Sequence, residues 1–167
     1  VIQMDNLNEQ FRFFNIRGRE VHKYDSTSNP TEAKYLVQEI LPQIIDRIDG
    51  TDLTLGIITP YSAQRKEIRN RITEKKYRDC VYTIDSIQGK EYDIVIFSFV
   101  RSFPEDCHAP VGFIDDMRRL NVALSRARKK LLLVGDKATL EDPRNHRQYS
   151  KGDPRKIYPE LLKITSR

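Results

Sequence analysis

No run of apolar residues in this 167-residue sequence approaches the ~20 needed to cross a bilayer, which excludes a membrane-spanning helix. No basic segment followed by an apolar one opens the chain, so no secretory leader is expected in VIQMDNLNEQ. The first residue is Val1 rather than a methionine, and the chain is expected to be a piece of something longer. Cysteine is scarce. Cys80 and Cys107 fit neither a metal-ligand spacing nor a disulfide framework. Both are expected as reduced thiols of an intracellular protein (cytoplasm or nucleus), with Cys80 packed where a strand begins. There is no internal repeat and no low-complexity tract. Nor is there a G-x-x-x-x-G-K-[ST] segment, whose backbone N–H groups and lysine would cradle the phosphates of a nucleotide. An α/β enzyme that hydrolyses nucleotides by itself needs such a loop, so that class is excluded for the chain acting alone.

What is present suits one globular domain over residues 1–167. Hydrophobic residues make up 38% and charged residues 32%, enough apolar surface for a full core and too much for a disordered chain. The net charge of +5 permits nucleic-acid binding without establishing it, since a soluble basic domain carries the same balance. The positive charge concentrates in Arg65–Arg78 and Arg118–Lys130.

Read along the chain, FRFF at 11–14 predicts a short strand. The polar, turn-rich segment after it predicts a loop that ends in a helix cap at Ser28, Asn29 or Thr31. Apolar residues at 33, 36, 37, 40, 41, 44, 45 and 48 lie on one helical stripe. Pro42 should kink that helix, because it removes one backbone hydrogen bond, and Gly50 closes it. A buried strand over 53–59 is stopped by Pro60, and a basic helix follows over 62–78. Strands are expected at 81–84 and 93–100, a helix over 114–128, and a buried strand over 129–136. The tail 137–156 reads as irregular, with a short helix near 157–164. Strands that are apolar on both faces, flanked by amphipathic helices, predict an α/β sandwich around a mostly parallel sheet. In such sheets ligand chemistry gathers at the carboxyl ends of the strands.

Three stretches carry polar groups suited to chemistry. In VYTIDSIQGKEYDIVIFSFVRS (81–102), Gly89 allows a positive φ or close approach, and the Gln88 amide can donate and accept. Glu91 can accept from a sugar hydroxyl, while Thr83, Asp85 and Ser86 could meet phosphates or sugars. An ordinary strand connection with one glycine is the plainer reading. In RRLNVALSRAR, Arg119 and Arg126 are two helical turns apart, so on one helix they would share a face ~10 Å along the axis. Two guanidiniums in a row suit a polyphosphate, although an Arg-rich helix is usually a solvated basic face. In ITPYSAQ (58–64), a strand runs through Thr59 and Pro60 into a helix start. The free N–H groups there favour a phosphate, unless Ser62 simply caps the helix.

Together, in this order, the three stretches resemble the later motifs of superfamily 1 helicases, in the branch that contains senataxin and the nonsense-mediated-decay helicase. GIITPYSAQRKEI is similar to the "TPY..Q" motif, the stretch 81–102 to "T.D.(F)QG.E.D..I.S.VR", and VGFIDDMRRLNVALSRARKKLLLVGD to "GF....RR.NVA.(T/S)RA...L...G". The match covers Gly56 to Asp136, with Ile87 where phenylalanine is frequent and Ser125 where threonine is common. The resemblance implies a RecA-like three-layer sandwich, the second of two motor domains with ATP and Mg²⁺ in the cleft between them. It implies Arg126 as an arginine finger, Arg119 supporting it on the same helix, and Gln88, Gly89 and Glu91 lining the nucleotide cleft. It places Thr59, Pro60, Ser62, Thr83, Asp85 and Ser86 along a single-stranded RNA or DNA track on the opposite rim. The phosphate loop, the acidic pair serving Mg²⁺ and an adenine-stacking tyrosine motif are missing from this sequence. The isolated chain is therefore expected to fold without hydrolysing ATP and to hold no cofactor tightly. The rival is a degenerate, non-catalytic helicase half that only docks protein or RNA.

Overall fold

The computed structural model describes residues 10–87, 89–147 and 154–164. Five strands form one sheet, β1 (Phe11–Asn15), β4 (Leu55–Thr59), β5 (Val81–Thr83), β6 (Tyr92–Ser98) and β7 (Ala127–Gly135). Their order is β1-β7-β6-β4-β5, and every pairing is parallel. Side chains alternate across a strand, and here both faces are covered. Ile57, Ile94, Ile96, Leu132 and Val134 enter one core, while Ile58, Val95, Phe97, Leu131 and Leu133 enter the other. That double burial is why these strands read as continuous apolar runs. It makes the α/β three-layer sandwich expected from the sequence.

The first core lies under the N-terminal helices. Asn29 caps α1 (Pro30–Tyr35), its Oδ1 accepting from the Glu32 N–H at 3.1 Å, and Pro30 fills the first helical position. Pro42 is accommodated differently from a simple kink. It has no N–H to donate and its ring would crowd a carbonyl four residues back. A π-helical turn, Leu36–Ile40, precedes α2 (Leu41–Ile48), and the Leu41 N–H reaches back to the Leu36 carbonyl. The apolar stripe survives this change of pitch, with Ala33, Leu36, Ile40, Leu41, Ile44 and Ile48 all buried. Gly50 ends the helix at φ +75°.

Several expected boundaries are corrected. The segment read as a loop before α1 holds a two-stranded hairpin, β2 (Val21–Lys23) and β3 (Ser26–Ser28), which turns through Tyr24 at φ 54°. The expected helix over 62–78 is two helices, α3 (Ser62–Arg71) and α4 (Lys75–Arg78). They part where extended Ile72 is drawn into the core. Strand β6 ends at Ser98 because Val100 takes a left-handed conformation, φ 76°. The expected helix over 114–128 is a short 3₁₀ turn, Gly112–Asp115, followed by α5 (Met117–Leu124). Strand β7 then begins at Ala127, earlier than the sequence suggests. The tail carries α6 (Lys137–Glu141), where irregular chain was expected, and α7 (Pro154–Ile164). Tyr158 anchors α7 in the second core, its hydroxyl donating to the Ile114 carbonyl at 2.7 Å. No helix among the described residues is long and apolar enough to cross a membrane.

Candidate functional site

The sheet presents two edges, and the candidate residues divide between them. At the carboxyl edge, β4 ends at Thr59 and β5 at Thr83, and these two residues are register partners. Thr83 and Ser86 form a reciprocal cap at the start of the 3₁₀ turn Ile84–Ser86. Ser86 Oγ accepts the Thr83 N–H at 3.0 Å and donates to the Thr83 carbonyl at 2.9 Å. Asp85 and Ser86 are exposed on this turn. Thr59 and Pro60, by contrast, are buried, and Thr59 Oγ1 has no hydrogen-bond partner. The two residues expected along a strand track at this edge thus have buried side chains. Ser62 is exposed, but it does not cap α3. Tyr61 holds the cap position without a side-chain bond, and Ser26 of the hairpin supplies the hydroxyl instead. Ser26 Oγ accepts from the Ala63 N–H at 3.0 Å and from Ser62 Oγ at 3.2 Å, so part of that helix start is already occupied.

The amino edge gathers a second set. Gly89 precedes β6 at φ +78°, and a Cβ there would meet nothing within 4 Å. The glycine is needed for its backbone angle and not for close approach. Gln88 lies outside the described residues. Glu91 is half exposed and rests 3.6 Å from Arg128, a surface pair of small energetic weight. The Arg126 carbonyl accepts the Tyr92 N–H at 2.9 Å, which brings Arg126 to the strand start beside Glu91. Its guanidinium folds back, Nε donating to the Val122 carbonyl at 2.9 Å and Nη2 reaching Ser125 Oγ at 3.3 Å. Among the described residues no carboxylate pairs with it.

The two arginines therefore do not share a helical face. Arg126 lies in the turn after α5, at the amino edge. Arg119 lies in the first turn of α5, whose N-cap carboxylate, Asp116, accepts from the Arg118 and Arg119 N–H groups. Its guanidinium covers the Phe113 ring at 4.4 Å, and Phe113 in turn lies 6.2 Å from Tyr61. The expectation that Arg119 supports Arg126 on one helix is corrected for this reason: the helix ends at Leu124, before the second arginine.

Beneath the carboxyl edge runs a buried polar network that the sequence reading missed. Glu32 is fully buried. Its carboxyl accepts from Ser98 Oγ at 2.6 Å and from the Val100 N–H at 3.1 Å. Gln64 donates to Ser98 Oγ at 3.0 Å and accepts the Asn29 N–H at 2.7 Å, while Asn29 donates to the Val100 carbonyl. Burial pushes the Glu32 carboxyl up to about 8; its hydrogen bonds pull the other way and nearby Asp136 adds to the rise. The network clamps the left-handed turn at Val100 from both sides. Next to it, Arg101 donates to Glu20 at 2.8 Å and to the Val111 carbonyl at 3.0 Å, tying the hairpin's approach to the loop before α5. In the sequence, Asn29-x-x-Glu32 has the spacing of an exposed capping box. Only the packing of α1 against the end of β6 turns that glutamate inward.

No group of three or more His, Cys, Asp or Glu side chains among the described residues could hold a metal ion. Comparison with known proteins settles the family. The family described as AAA domain matches residues 1–138. The chain is 38% identical over 140 residues to Helicase sen1 of Schizosaccharomyces pombe, 79% of this chain and 8% of that protein. It is 37% identical over 141 residues to Regulator of nonsense transcripts 1 of Dictyostelium discoideum, 78% of this chain and 10% of that protein. This chain belongs to the superfamily 1 helicases. A third relative, the DNA replication ATP-dependent helicase/nuclease JHS1 of Arabidopsis thaliana, is 36% identical over 126 residues, 75% of this chain and 9% of that protein. The helicase-family domain thus spans about a tenth of the length of these relatives.

Proposed function

We propose that this helicase-family domain is the second motor domain of an ATP-dependent nucleic-acid translocase. The observation that carries the reading is the division of its polar residues between opposite edges of one sheet. Gly89, Glu91 and Arg126 stand at the amino edge, where a neighbouring domain bearing a phosphate-binding loop would present ATP. Ser62, Thr83, Asp85 and Ser86 stand at the carboxyl edge, where single-stranded RNA or DNA would run, with Thr59 and Pro60 shaping the floor. Gln88 joins the first set by its place in the sequence.

In this mechanism Arg126 is the catalytic residue of the chain. Its guanidinium is held by a carbonyl and a hydroxyl rather than by a carboxylate, so it can leave them for the charge that develops on a transferring phosphoryl group. Glu91 leaves its loose contact with Arg128 to accept a ribose hydroxyl. Mg²⁺ supplies charge neutralisation when bound, and its ligands belong to the other domain. Closing and opening of the cleft would shift the grip on the strand at the far edge, mostly through sugar–phosphate contacts. The test is Arg126→Ala in the full-length protein. ATP turnover is expected to fall at least ~10³-fold while single-strand binding persists. Turnover within a factor of two of the unaltered protein would overturn the assignment.

A further inference from the structure

The amino edge uses Arg126, which leaves Arg119 without a role at the opposite edge. Its surroundings describe one. Phe113 stands between Tyr61, whose ring is tilted by 58° at 6.2 Å, and the Arg119 guanidinium, 4.4 Å from its centroid. Phe113 covers one face of the guanidinium, and Asp116 steadies it at 3.7 Å. The side chain is about half exposed, 48%. Beside it opens a groove lined by Ile84, Asp85, Arg118, Arg119 and Val122. Val122 is one of three large hydrophobic residues that stand exposed among those described, at 41%.

We propose that this groove binds a single unstacked nucleobase of the nucleic-acid strand, resting on Arg119. The inference rests on the reading of the carboxyl edge as the strand track. Its cavity of about 290 Å³ is at the small end for ligand sites, which run from about 300 to 1,000 Å³, so it suits one ring system and not a whole nucleotide. A planar guanidinium already held over an aromatic ring is a ready platform for a base, because stacking needs only a π face. Ile84 and Val122 give the apolar floor that a base prefers to water. Arg118, next in the chain, supplies a cation for the flanking phosphate. Asp85 adds only an acceptor, so it favours bases with an exocyclic amine, such as cytosine, over thymine. Arg118 and Arg119 line the groove with Asp85, Asp116 stands behind Arg119, and the groove adjoins the exposed Ser86 turn.

The experiment is fluorescence anisotropy of labelled oligodeoxycytidylate and oligothymidylate with the 167-residue chain at low salt, folding being followed by circular dichroism. Arg119→Ala is expected to weaken binding about 5- to 20-fold. Arg119→Lys is expected to weaken it nearly as much, because an ammonium keeps the charge but loses the plane. Val122→Glu, which puts an anion in the groove, is expected to do the same without touching the contact of Arg119 with Phe113. Asp85→Asn is expected to remove the preference for cytidylate. If Arg119→Lys or Val122→Glu binds like the unaltered chain, the base pocket is wrong while the strand track stands. If the unaltered chain binds neither oligonucleotide, the strand track falls and the pocket with it.

Discussion

Substituting glutamine for Glu32 should change how the stability of the domain depends on pH. The Glu32 carboxyl ionises near 4.5 when unfolded and only near 8 when buried under Ser98 and Val100. A folded-state value above the unfolded one means that the native state holds the proton more tightly. The stabilisation is then complete below about pH 4.5 and is lost as pH rises through about 8. At about 1.4 kcal/mol for each pH unit between the two values, the ceiling is about 5 kcal/mol, a large part of a typical domain's net stability. Between pH 6 and 9 the unaltered domain should lose about 3 kcal/mol from this group alone. Two carboxylates held low, Asp93 by Thr54 and Asp142 by Arg144, stay ionised in both states over that range and add no slope there. Glutamine keeps the shape and an acceptor for Ser98 and the Val100 N–H, but it cannot ionise. The assay is urea unfolding followed by circular dichroism at half-unit steps from pH 6 to 9, for both proteins. Glu32→Gln should flatten the profile by about 3 kcal/mol and gain relative to the parent at the alkaline end. Parallel profiles, within about 0.5 kcal/mol at every step, would show that Glu32 enters the folded state already ionised, and the argument from burial would fail.

Three further outcomes are expected. Gly56→Ala should cost at least about 2 kcal/mol in a thermal melt, because the new Cβ would stand 2.6 Å from the Tyr92 ring in a packed core; a loss under about 0.5 kcal/mol would mean the ring moves freely. Tyr158→Phe should cost about 1–2 kcal/mol by leaving the buried Ile114 carbonyl without its hydroxyl donor, and an unchanged melt would show that α7 does not seal the second core. Cys107 is exposed, whereas partial burial and then the Asp79 charge push the Cys80 thiol up. A thiol reagent at pH 8 should therefore modify Cys107 about tenfold faster, and the opposite order would contradict the packing at the start of β5.

Periodicity made the cores legible. The stripe at 33, 36, 40, 41, 44 and 48 enters the first core as spacing alone indicates, even across a π turn that no spacing rule anticipates. The apolar runs at 55–59, 92–98 and 131–134 became central strands because each alternates between two buried faces. The hairpin at 21–28 was not legible, since its strands are three residues each and mostly polar, and its turn uses Tyr24 rather than glycine. Nor was the burial of Thr59 and Pro60, because polar and turn residue types at a strand end read as exposed. Gly89, Glu91, Arg119 and Arg126 were legible as residue types that lie at the sheet edges. Their arrangement was not, because helix ends decide it: α5 stops at Leu124, so Arg126 leaves the face on which a longer helix would have set it.

That last point has a general cause in the topology. In an all-parallel sheet every connection must return the chain from the carboxyl edge to the amino edge before the next strand can start. A contiguous motif that fills such a connection therefore puts its first residues on one edge and its last on the other. The stretch from Thr83 to Glu91 does this without an α-helix: Thr83, Asp85 and Ser86 stay at the end of β5, buried Ile84 and Ile87 carry the crossing over the second core, and Gly89 and Glu91 arrive at the start of β6. The stretch from Arg119 to Arg126 does it again through α5. Read as a turn, each motif looks like one site. Folded, each is a connection between the two edges of the sheet, with polar residues at its ends and apolar ones in the core. On the proposed reading, a displacement of Gly89 or Arg126 at the amino edge would reach the Ser86 turn and Arg119 through these two connections, which is the link that a translocase would need between its two edges.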